Sequence, residues 1–129
     1  MAAITKLFTD IPQSKKLVNI LPLESADMWY SYYGNPKYNP TITYEGEQWF
    51  LCQIVNSWHT DIPCWSLSTL IDILPLEIDI SKVDADTENE RYMCTVGING
   101  DIISTFADNP IDVCVEMIIR LNELNVLKI

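Results

Sequence analysis

Between Leu67 and Leu74 the apolar residues Leu67, Leu70, Ile71 and Leu74 fall on one face of a 3.6-residue repeat, with polar residues between them. The flanks supply both ends of a helix. Ser66 offers a hydroxyl that can accept from a free amide of the first turn. Trp65 and Leu70 stand at the spacing that closes two apolar side chains over a helix start, and Pro75 stops the element. Asp61-Ile62-Pro63-Cys64 is an extended lead-in, and the rest of the chain is organised around the stretch from Asp61 to Pro75.

Two further helices carry their own boundary signals. Asp10-Ile11-Pro12-Gln13 reads as a capping box, and the spacing predicts a helix to about Leu21 with Ser14, Leu17, Val18 and Leu21 inward. Pro22 ends it, and Lys15 and Lys16 lie on its solvated side. Near the other end Asn109 is a cap, Pro110 takes the first helical position and Asp112 sets a negative charge at the positive end of the dipole. Ile111, Cys114, Val115, Ile118 and Leu121 make an inner stripe that Val113, Met117, Ile119 and Leu124 widen. Only Asp112, Glu116, Arg120 and Glu123 form a polar strip. A face that wide is either buried between layers or shared with a second copy, so this helix is the expected route to a homo-oligomer.

Strand signals fill the remainder. Met28-Trp29-Tyr30-Ser31-Tyr32-Tyr33 and Thr41-Ile42-Thr43-Tyr44 have strand composition, and the Gly34 to Pro40 segment between them is rich in turn residues. Trp49 to Val55 is apolar enough for a central strand. Leu76, Ile78 and Ile80 alternate with Glu77, Asp79 and Ser81. Asn99-Gly100 predicts a two-residue hairpin turn joining Arg91–Ile98 to Asp101–Phe106, with Val96 opposite Ile103 and Cys94 opposite Thr105. Tyr92, Cys94, Val96 and Ile103 share one face of that hairpin, and Met93, Ile102 and Phe106 the other. Helices belong over one side and an aromatic surface or a partner near the other. The order of elements gives an α+β fold, a mostly antiparallel sheet with three helices packed chiefly on one face, in a single domain spanning residues 1–129.

A chain of 129 residues with 48% hydrophobic content has enough apolar side chains for one core, which excludes intrinsic disorder. Its first residues have too little basic charge for a secretory signal, and no segment reaches the ~20 apolar residues of a membrane span, so the expected location is the cytoplasm. Charge is unevenly placed: residues 61–129 hold thirteen acidic and four basic side chains, within a total of −10. Such a balance repels nucleic-acid phosphate, and direct nucleic-acid binding is not expected.

Motif chemistry is sparse. Cys52, Cys64, Cys94 and Cys114 stand alone in apolar stretches and read as small buried hydrophobes, with no metal spacing. His59 is the single histidine, in a polar loop. Asp84-Ala85-Asp86-Thr87-Glu88-Asn89-Glu90 places acids at alternate residues yet lacks the glycine and closing glutamate of a calcium loop. No phosphate loop or nucleophile elbow is present, so no catalytic residue and no cofactor is assigned. Were the chain an enzyme, Asp61, Asp72 and Glu77 would be its first candidate carboxylates. The candidate binding residues are instead Trp29, Tyr30, Tyr32, Tyr33, Tyr38 and Tyr44, whose rigid amphipathic rings suit a ligand pocket or a protein contact.

The stretch Pro63-Cys64-Trp65-Ser66-Leu67-Ser68-Thr69-Leu70, closed by Leu74-Pro75, resembles an element of an uncharacterised group of small proteins encoded by gut Bacteroides-type bacteria, their prophages and phages. Three further places resemble that group in the same order. They are Gln13 to Leu17, Leu21 to Tyr30, and Asn109-Pro110-Ile111-Asp112 through Leu124. Cys64 stands where the group more often has alanine, a small-for-small exchange. The resemblance implies phage or mobile-element cargo in a bacterial cytoplasm and carries no active site. The expected function is therefore that of a non-enzymatic accessory protein acting through protein contacts, in a specific form an acidic inhibitor of a host nucleic-acid-binding protein. The alternative is a small-molecule binder or sponge with an aromatic-lined pocket.

Overall fold

Asp10 accepts from the Gln13 amide at 2.8 Å while Gln13 Oε1 accepts from the Asp10 amide at 3.1 Å, and this reciprocal box starts helix α1 (Ile11–Leu17). The computed structural model describes residues 6–75, 77–83 and 91–127, and α1 ends in it four residues earlier than the spacing predicts. Asn19 and Ile20 donate to Lys16 and Leu17, three residues back, which tightens the last turn, and Pro22 disfavours helical geometry at Leu21. Leu21 is nonetheless buried. A single 3-10 turn, Leu23–Ser25, follows.

The stretch from Asp61 to Pro75 folds as its sequence requires. The extended lead-in runs into helix α2 (Leu67–Ile73). Ser66 caps α2 by accepting from the Thr69 amide at 3.4 Å, and Asp27 in turn holds Ser66, accepting from its amide at 2.9 Å and its hydroxyl at 2.6 Å. Trp65 and Leu70 are both fully buried, the arrangement of an apolar staple. Trp65 also donates through Nε1 to Ser25 Oγ at 3.0 Å, so the large ring is buried with its polar atom satisfied.

The strands divide between two antiparallel sheets. β1 (Met28–Ser31), β2 (Thr41–Tyr44), β3 (Glu47–Cys52) and β4 (Ile62–Cys64) form one in the order β2-β3-β1-β4. β5 (Ile78–Val83), β6 (Arg91–Ile98) and β7 (Asp101–Ala107) form the other in sequence order. The expected hairpin register holds, with Val96 paired to Ile103 and Cys94 to Thr105, and Asn99 and Gly100 take φ of 52° and 85°. With helices α1, α2 and α3 (Pro110–Glu123), this is an α+β fold. Leu76 and the acidic stretch Asp84 to Glu90 lie outside the described residues.

Helix α3 is capped by Asn109, whose side chain accepts from the Asp112 amide at 2.9 Å. It packs on β6 and β7 and against α2 and α1. Ile111, Val113, Cys114, Val115, Met117, Ile118 and Leu121 are all buried in this way, so most of the wide apolar face is enclosed by the chain's own layers. Each of the larger side chains contributes about 2 kcal/mol of apolar burial.

Two apolar clusters result. Leu17, Leu21, Trp65, Leu70, Leu74, Cys94, Val96 and the α3 stripe form the larger one, and Ile11, Tyr30, Trp49, Leu51 and Cys64 form the smaller. Both α1 and the Cys64-Trp65 dipeptide contribute to each cluster, which joins the two sheets. At the junction sits a buried polar knot. Thr9 Oγ1 accepts from the Trp65 amide at 3.1 Å and bonds Ser14 Oγ at 2.8 Å, while the Thr9 amide donates to Trp65 O at 3.0 Å. Every member has a partner, so the knot specifies the packing at low cost.

Candidate binding surface

The six candidate aromatic residues do not act as one group. Trp29 and Tyr30 are buried in the four-stranded sheet, because β1 is an interior strand with both faces covered. Tyr30 donates its hydroxyl to Thr9 O at 2.6 Å, and burial followed by the neighbouring Cys64 thiol pushes its phenol well above the ordinary range. Trp29 meets Trp58 edge-on at 5.3 Å. Tyr44 stands at the end of β2, beside a small groove of about 260 Å³ shared with Phe8, Ile11 and Ile42. Lys15 lies 5.2 Å over its ring.

Tyr32, Tyr33 and Tyr38 remain at the surface. Tyr32 stacks on Trp49 with centroids 4.0 Å apart, and the hydrogen bond to Glu47, burial and the Glu47 charge raise its phenol. Trp49 Nε1 is buried with no hydrogen-bond partner among the described residues. Tyr33 and Tyr38 are 67% and 72% exposed and line a surface hollow of about 630 Å³ with Met28, Gly34, Pro40, Gln53, Ile54 and Asn56. No side chain in the lining carries a carboxylate, an amine, a guanidinium or an imidazole.

The two loops that make this hollow are pinned by their own polar side chains. Asn35 Oδ1 accepts from the Lys37 amide at 2.9 Å, Asn39 Oδ1 accepts from the Asn35 amide at 3.0 Å, and Leu51 N donates to Pro40 O at 2.9 Å. Across the hollow, Asp61 Oδ2 accepts from the amides of Asn56 and Ser57 at 2.6 and 3.0 Å. Asn56 Nδ2 then donates to Tyr33 O at 3.1 Å and ties one loop to the other. Gly34 lies so close to Phe50 that an added Cβ would stand 2.6 Å from it. The rings are therefore presented on fixed loops over a rigid sheet.

Sequence reasoning on aromatic composition missed Ile54, 71% exposed in the lining of the hollow, and Trp58, 68% exposed against Trp29. Ile54 lies within the apolar run from Trp49 to Val55 and reads as strand interior, whereas β3 ends at Cys52 and leaves it outside. Asp61 precedes β4, Asp72 lies in α2 and Glu77 precedes β5, with Asp61 engaged in its turn and Glu77 lying over Gly97 of β6. His59 is exposed. Among the described residues no three His, Cys, Asp or Glu side chains converge as a metal site requires, and no helix is long and apolar enough to cross a membrane.

Family models, curated proteins and solved structures give no match to this chain. The surface must be read from its own chemistry. Burial raises the Cys52 thiol, against the hydrogen bond from Asn56, so this sulfur at the floor of the hollow is a neutral thiol near pH 7. A neutral, partly aromatic lining with amide groups at its rim favours an uncharged group seated by apolar contact and hydrogen bonds.

Proposed function

We propose that this chain is a non-enzymatic interaction protein that grips a protein partner through the Tyr32 to Pro40 and Gln53 to His59 loops. One observation carries the reading: Tyr33, Tyr38 and Ile54, all exposed, line one surface hollow between two loops of one sheet. Rigid aromatic side chains on pinned loops contribute large contact area at little cost in conformational entropy, as in binding surfaces generally. The net charge of −10 favours a basic partner and supports the finer form of the proposal, inhibition of a nucleic-acid-binding protein by acidic surface standing in for phosphate. The resemblance to phage-encoded and prophage-encoded proteins is consistent with cargo that acts on a host.

The test is affinity capture from a lysate of an infected or lysogenic bacterial host, with wild type and the Tyr33→Ser/Tyr38→Ser double variant side by side. A partner held by wild type and weakened about 30-fold or more in the variant supports the proposal, because central aromatic anchors contribute about 2 kcal/mol or more. A partner held equally by both, or none at all, removes it. Affinity that does not fall with added salt removes the acidic-mimic form.

A second reading rests on the hollow itself, whose volume of about 630 Å³ lies in the range of small-molecule sites. Its neutral lining would select an uncharged, flat or aliphatic compound. A thermal-shift panel of metabolites discriminates this reading, since saturating ligand raises stability by several kcal/mol.

A further inference from the structure

Among the described residues the two sheets have four edge strands, and three of them are protected. β2 has four residues, β4 has three and contains Pro63, and β5 carries Asp79 and Lys82 within its length. Short strands, proline and mid-strand charge all discourage pairing with another chain. β7 has none of these. It runs seven residues, its register with β6 is unbroken from Tyr92↔Ala107 to Ile98↔Asp101, and Ile102-Ile103-Ser104-Thr105-Phe106 contains neither charge nor proline.

Its backbone hydrogen-bonding direction alternates, and among the described residues no strand pairs with its outer edge. The two-residue turn closes on Ile98↔Asp101, so Asp101, Ile103, Thr105 and Ala107 exchange hydrogen bonds with β6. Ile102, Ser104 and Phe106 therefore direct their N–H and C=O groups outward. Their side chains lie on the sheet face away from the α3 helix, where Ile102 is 76% and Phe106 49% exposed.

We propose that two copies of this chain pair antiparallel through β7, about a two-fold axis at Ser104, to make one continuous six-stranded sheet. The pattern is self-complementary. With Ser104 opposite its own counterpart, Ile102 falls opposite Phe106 of the second copy and Phe106 opposite its Ile102, so each exposed apolar side chain covers the other. All outward backbone groups of the three residues are paired. Charge permits the register as well: Asp101 falls opposite Ala107 and Asp108 opposite Gly100, so no acid of one copy faces an acid of the other despite the net charge of −10 on each. The contact is separate from the aromatic loops, which belong to the other sheet.

Sedimentation of the full chain tests this with two variants. Wild type is expected at twice the 14.8 kDa of one chain, dissociating on dilution. Ser104→Lys sets two like charges against each other at the axis, and Ser104→Pro removes the outward N–H without touching the ladder to β6. Both are expected to halve the mass while leaving the circular dichroism spectrum unchanged. Wild type at single-chain mass overturns the proposal, as does a dimer that persists in either folded variant. A dimer lost only when the aromatic loops are mutated places the contact elsewhere and overturns it too.

Discussion

The hydroxyl of Tyr30 on β1 donates to the carbonyl of Thr9 at 2.6 Å, and the Thr9 side chain in turn accepts from the Trp65 amide at 3.1 Å. A strand of one sheet is thereby tied to the residue that anchors the other cluster. Removing the phenol oxygen leaves Thr9 O with only the Cys64 thiol, a weak donor at 3.4 Å. Tyr30→Phe is expected to lower stability by about 1–2 kcal/mol. In urea unfolding this is a lower midpoint at unchanged slope. An unchanged midpoint would show that the bond contributes nothing net.

Lys6 ties the start of α1 to the start of α3, with Nζ 2.8 Å from Asp10 and 2.9 Å from Asp112. Burial pushes the Asp112 carboxyl up, but hydrogen bonds from Lys6, Gln13 and Asn109 and the Lys6 charge outweigh it and hold the group below the usual carboxylate range. A depressed folded-state value stabilises the fold above the unfolded pKa of about 4, and that contribution is lost as pH falls through the lower folded value. For Lys6, burial lowers the ammonium and the two aspartates more than compensate, so its contribution holds below about pH 10 and fades at higher pH. Asp112→Asn is expected to cost no more than about 1 kcal/mol at pH 7, since the carboxylate is 32% exposed and screened. Its stability should also change less than that of wild type between pH 5 and about pH 3, which urea titrations at each pH would measure.

How much of this was legible follows from the range of each interaction. The Asp10 box, the Ser66 and Asn109 caps and the Asn99-Gly100 turn are local, and each was written within a few residues of where it acts. The division of strands between two sheets was not, because it depends on the Cys64-Trp65 dipeptide sending adjacent side chains to different clusters. Nor was the pairing of Thr9 with Trp65, which spans most of the first half of the chain. In the candidate site, composition found the aromatic cluster and could not rank it. Whether a tyrosine is buried like Tyr30 or exposed like Tyr38 depends on which strands lie beside it.

The turn between β2 and β3 carries a weaker local signal. Glu45 and Gly46 take φ of 51° and 78°, the left-handed pair of a two-residue hairpin, yet glutamate is an unusual choice for the first position. Asparagine enters this region far more readily than glutamate. Glu45→Asn is expected to raise stability by about 0.5–1 kcal/mol. Thermal unfolding would show the gain as a higher Tm, and a lower Tm would mean that the Glu45 side chain holds the turn in some other way.

Gly34 supplies the sharpest link between the fold and the binding surface. Its φ is not the reason for glycine; the cause is steric, since a Cβ there would meet Phe50 Cβ and Cγ at 2.6 Å. Phe50 cannot yield easily, because it sits on an interior strand paired to both β1 and β2. Gly34→Ala must therefore displace the loop that carries Tyr33 and Tyr38, at a cost of about 1–3 kcal/mol. Tyr38→Ala, by contrast, removes an exposed ring and should change stability by less than about 0.5 kcal/mol. If the loops grip a partner, both variants lose the captured protein, although only Gly34→Ala is destabilised. A Gly34→Ala protein that is destabilised yet binds as wild type does would separate the hollow from the function proposed for it.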